Sequence, residues 1–152
     1  MNSQVYQAFE KSVIPAGAPP LPDSSLNVSV IFTGVAETLA ALRRAAALAA
    51  ELNARVTLFV LQVVPYPLPV TSPPVLLEFN ERRFRLIAET ARVETVVLIY
   101  LCREPQTAIE AVLPPRSLIV IGGRKHWWPT REAALARRLR RAGHEVVFTE
   151  TE

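Results

Sequence analysis

A chain of 152 residues, half of them apolar and a fifth charged, is long enough to bury a core and too apolar to stay disordered. One cysteine, Cys102, excludes an intrachain disulfide and a cysteine metal cluster, and two distant histidines give zinc poor support. No long uncharged apolar run offers a membrane span, and the opening MNSQVYQAFEKSV lacks the regions of a secretory signal, so the expected location is the cytoplasm.

The net charge of +3 is unevenly spread. Between Arg116 and Arg141 eight basic residues face one acid, Glu132, which gives that segment +7 and leaves −4 for the rest. Such an excess attracts phosphate, nucleic acid or an acidic partner, although charge runs more often serve as solvated helix faces.

Residues 1–27 read as an extension, partly disordered or holding a short helix, ahead of a domain over 28–152. Val5, Phe9 and Val13 recur every four residues and suggest an amphipathic helix over Asn2–Val13. The prolines of IPAGAPPLPDSS then resist both helix and central strand. VSVIF (28–32) is a first strand, closed by Thr33-Gly34. An alanine-rich helix from Glu37 to Leu52 follows, with Asn53 at its stop.

ARVTLFVLQVV (54–64) has the near-continuous apolar character of a strand buried on both faces. A proline-rich loop leads to a helix over Val75–Ala91, with Leu76, Phe79, Leu86 and Ile87 as its apolar stripe. VETVVLIYLC (93–102) is the third strand, and Pro105 opens a short helix that breaks at Pro114-Pro115. SLIVIG (117–122) is the fourth. Thr130 caps the next helix, Leu135 and Leu139 face inward, and Gly143 stops it before HEVVFTE. Strict βα alternation implies parallel strands joined by helical crossovers, hence an α/β/α three-layer sandwich.

The segments VSVIFTGVAETLAALRRAAALAAELNARVTLFVLQVVPYP, VETVVLIYLCREPQTAIEAVLPPRSLIVIGGR and HEVVFTE resemble the universal stress protein family, a Rossmann-like branch of the adenine-nucleotide α-hydrolase-like folds. The resemblance covers roughly residues 28 to 150. It implies a five-stranded parallel sheet of order 3-2-1-4-5, with a topological switch between the first and fourth strands. Ligands favour the crevice at such a switch. Two turns would line it: Thr33-Gly34-Val35 and Gly122-Gly123-Arg124-Lys125.

These seven residues are the candidate anion or nucleotide site, and ATP or AMP is the cofactor candidate that the resemblance brings. The nucleotide pattern is degraded. Thr33 stands where ATP-binding members carry an acid, Lys125 replaces the second glycine of a G-x-x-G turn, and AALARR replaces a later glycine–hydroxyl pair. Lysine and alanine fill space that a glycine leaves open to an anion.

Trp127 and Trp128 are expected to cover the end of the sheet, with base stacking as the other reading. His144 is expected at the surface and Cys102 in the core. No Ser/His/Asp set, carboxylate pair or metal motif has the spacing a catalytic assignment requires, so the expectation is not an enzyme. The expected function is a regulatory or interaction module of the bacterial stress-response type, without ATP turnover. The alternative is a binder of ATP, another adenine nucleotide or a phosphorylated ligand at the crevice. The resemblance also implies a homodimer paired through the last strand, at Val146, Val147 and Phe148, and a regulatory protein partner. Nucleic acid ranks last, because the arginines at 137–141 lack interleaved aromatics.

Overall fold

The computed structural model describes residues 4–9, 26–66, 77–91 and 95–152. It contains six strands, β1 (Gln4–Phe9), β2 (Asn27–Ile31), β3 (Arg55–Val63), β4 (Thr95–Cys102), β5 (Leu118–Arg124) and β6 (Glu145–Thr151). Four helices lie among them: α1 (Val35–Leu52), α2 (Leu77–Thr90), α3 (Pro105–Val112) and α4 (Arg131–Arg141). All pairings are parallel, in the order β1-β4-β3-β2-β5-β6. The five strands expected from the sequence therefore occupy the expected order, and a sixth is added beside β4.

That sixth strand corrects one expectation. Of the segment read as a helix over Asn2–Val13, Gln4–Phe9 form β1 and pair with Val96–Leu101, and the rest lies outside the described residues. Valine, tyrosine and phenylalanine suit a strand, and the flank of β4 offers unpaired backbone groups that a strand can satisfy. Pairing overrides the four-residue spacing.

Each face of the sheet carries its own core. On one side Val28, Val30, Leu58, Val97, Ile99 and Val120 pack with Ala41, Leu42, Ala45 and Ala49 of α1 and Phe84, Ile87 and Ala88 of α2. On the other, Ile31, Phe59, Tyr100, Ile119 and Ile121 meet Ile109 and Leu113 from α3 and its C-cap, and Ala136 and Leu139 of α4. Small alanines along α1 let it lie close to β2 and β5. In α2 the expected stripe is shifted: Phe79 and Leu86 are exposed, while Phe84 and Ile87 are buried. Leu76 lies outside the described residues.

The helix boundaries follow local chemistry. Asn53 takes the left-handed conformation that ends α1, Thr130 Oγ1 accepts from Ala133 N–H at the start of α4, and Gly143 has φ +97° just beyond its end. Cys102 is buried as expected. His144 is half-buried rather than a surface residue, because its Nδ1 accepts a 3.0 Å hydrogen bond from the Ser117 amide.

Candidate functional site at the topological switch

From β2 the chain winds through β3 to β4 on one side, then returns to β5 and β6 on the other. The carboxyl ends of β2 and β5 therefore lie side by side with no crossover between them, which opens a crevice. It has a volume of about 370 Å³ and is lined by Thr33, Gly34, Glu37, Arg124, His126, Thr130 and Glu132. The corners at Thr33 and Gly122 are joined directly: Thr33 Oγ1 donates to the Gly122 carbonyl at 2.7 Å. The Thr33 amide in turn donates to Thr38 Oγ1 at 3.2 Å.

Three of the seven candidate residues, Thr33, Gly34 and Arg124, line the crevice. Val35, Gly122, Gly123 and Lys125 do not. Val35 is the first residue of α1. A second expectation, the turn at Gly122-Gly123-Arg124-Lys125, is corrected: Gly122 lies in the strand as SLIVIG has it, but the strand runs on through Gly123 and Arg124, with Gly122 and Gly123 paired to Thr149 and Glu150. Continued pairing with β6 keeps this segment extended, and the Lys125 amide still reaches the Thr151 carbonyl at 2.9 Å.

Glycine is required at these two places for space. A Cβ on Gly122 would lie 1.9 Å from the Glu37 carbonyl oxygen, within the backbone of α1. A Cβ on Gly123 would lie 2.5 Å from the Phe148 ring. The first glycine lets α1 settle onto β5, and the second admits Phe148 of β6. Neither is among the residues that line the crevice.

Glu37, absent from the sequence-based set, dominates the crevice. It lies in the first turn of α1, where an acid meets the positive end of the helix. Its carboxylate folds back over Gly34, so closely that a Cβ there would lie 2.4 Å from Oε2. Arg124 Nε donates to Glu37 Oε1 at 2.8 Å, bridging α1 and the end of β5. A hydrogen bond from its own backbone N–H, then that from Arg124, hold the Glu37 carboxyl below the usual carboxylate range despite desolvation. The Glu37 side chain is 12% exposed and that of Arg124 72%, so the pair has its cationic half facing solvent.

Thr33, where the resemblance leads one to expect an acid, thus has an acid four residues further on. The signal that could have found it is an acidic residue in the first turn of a helix at a switch point. Of the other lining residues, Thr130 is committed to capping α4, and Glu132 and His126 complete the wall.

Trp127 and Trp128 give a third correction. They do not cover the sheet; they stack on one another, with centroids 4.7 Å apart and planes at 21°. Trp127 remains 89% exposed and Trp128 59%. β5 runs on to Arg124, and the indoles lie in the exposed loop that follows it.

No protein-family model and no curated protein matches this sequence. Among solved structures, the chain is similar to a protein of the universal stress protein family from Burkholderia pseudomallei, with a TM-score of 0.55 and 21% identity over 84% of this chain and 98% of that one. A universal stress protein from Archaeoglobus fulgidus gives 0.54 and 19%, over 81% and 92%. A universal stress protein in complex with cAMP gives 0.50 and 20%, over 84% and 98%. The strand order, the crevice at the switch and these likenesses agree: the chain has the fold of the universal stress proteins.

Proposed function

We propose that this chain is a regulatory or interaction module of the universal stress type, whose crevice is closed by its own side chains and which does not turn over ATP. The observation that carries the reading is the Glu37–Arg124 pair. A bound phosphate would seek the positive end of α1, and the Glu37 carboxylate already lies over that end. The wall holds two acids, Glu37 and Glu132, against one arginine, which disfavours an anion. Thr33, Gly34 and Arg124 serve in this reading to close the site.

A second reading, a binder of adenine nucleotide or another phosphorylated ligand, draws support from the volume of the crevice and from the structural neighbour in complex with cAMP. Mass spectrometry of the protein as purified separates the two. The first reading expects no co-purified nucleotide; a stoichiometric adenine nucleotide would replace it with the second.

The assembly we propose is a homodimer through β6. The Glu145 amide reaches the Ser117 carbonyl and the Thr151 carbonyl receives the Lys125 amide, so odd-numbered residues face β5. The backbone groups of Val146 and Phe148 therefore point to the edge that no described strand occupies. Such an edge invites a partner strand. Arg140 Nη2 donates to the Val146 carbonyl at 3.0 Å, so pairing through Val146 requires that arginine to move.

A further inference from the structure

Beside the crevice, whose wall takes Arg124, His126, Thr130 and Glu132, the stacked tryptophans and the basic residues of α4 follow one another closely along the chain. Six consecutive residues, Arg124 to Pro129, are exposed, and α4 begins two residues later. Along 124–141 there are seven basic residues and one acid, Glu132. Three of the seven are engaged: Arg124 with Glu37, Arg138 with Glu110 at 2.6 Å, and Arg140 with the Val146 carbonyl. Lys125, Arg131, Arg137 and Arg141 are exposed and their side chains have no hydrogen-bond or ion-pair partner among the described residues, and Arg137 and Arg141 stand one turn apart on α4.

We infer that this surface binds single-stranded nucleic acid, with Trp127 stacking a base and Lys125, Arg131, Arg137 and Arg141 holding phosphates. Exposing two indoles carries a large apolar penalty unless something covers them. The open face of Trp127 is flat and accepts any base, since every base has a π-face. Guanidinium groups suit phosphate oxygens. The arginine run alone is an ordinary solvated helix; the uncovered indoles at its N-terminal end add what stacking requires. Beyond the stacking site α4 offers about 16 Å of cationic track.

Oligothymidylate is the probe, because a pyrimidine strand keeps any adenine-selective crevice out of the measurement. Tryptophan emission is followed as the oligomer is added at low salt, with circular dichroism confirming that each variant is folded. The inference expects quenching. It expects Trp127→Ala to weaken binding about tenfold or more. Double substitution Arg137→Gln with Arg141→Gln should leave the quenching at saturation intact but flatten the salt dependence by about 0.7 in log–log slope per cation removed. Emission unchanged by the oligomer would overturn it. So would Trp127→Ala binding as tightly as the parent, or polyglutamate competing as well as the oligomer, which would make this an acidic-polypeptide site.

Discussion

Gly122→Ala tests how the two switch-point strands and α1 are fitted together. The added methyl would sit 1.9 Å from the Glu37 carbonyl oxygen, where ordinary contact begins near 3.4 Å, so α1 would have to withdraw by about 1.5 Å. The obstacle is helix backbone and cannot rotate away. Withdrawal would loosen Ala41, Leu42 and Ala45 from the β2 and β5 side chains beneath them. Overpacking of this kind costs about 3 kcal/mol, the upper part of its usual range. For a chain of this length that lowers Tm by about 6–12 °C.

Urea unfolding followed by circular dichroism gives the comparison. Gly123→Ala should cost less, about 1–2 kcal/mol, because the blocking Phe148 ring can turn. Gly143→Ala has open space around it and should cost only the left-handed backbone, about 1–2 kcal/mol. A Gly122→Ala protein within about 0.5 kcal/mol of the parent would refute the close-approach argument.

Glu37→Gln should destabilise the fold by about 1 kcal/mol at neutral pH, a modest figure because Arg124 is largely solvated. Since the folded carboxyl titrates below its ordinary value of 4.5, the difference should be full above that value and vanish as pH falls through the folded one; a difference that grows in acid would contradict the assignment. Thr33→Val removes the bridge to the Gly122 carbonyl and should cost about 1 kcal/mol in denaturant titration, with no change expected if that hydroxyl faced solvent instead. Arg140→Ala frees the Val146 carbonyl and should strengthen self-association in sedimentation equilibrium; a concentration-independent monomer for both proteins would remove the β6 dimer.

The layers were legible because hydrophobic pattern and turn chemistry agree along most of the chain. Asn53, Pro105, Thr130 and Gly143 mark helix ends through their own local preferences, and the buried runs of β3 and β5 leave little choice of structure. The site was legible only as a place. Gly122-Gly123 reads as a turn because glycine pairs usually are turns; only the tertiary approach of α1 and Phe148 reveals the need for space. Glu37 and Arg124 are 87 residues apart, and nothing local couples them. The N-terminal strand was missed for a similar reason: the partner that makes Gln4–Phe9 a strand lies about ninety residues away.

Calorimetric titration of the intact protein with MgATP at low salt is the most direct check on whether the switch-point crevice is sealed. With the Glu37 carboxylate seated over the start of α1 and held by Arg124, the expected result is no binding heat. A saturable one-to-one signal, with Arg124 swung away from Glu37 in the complex, would show that the crevice is an open nucleotide site.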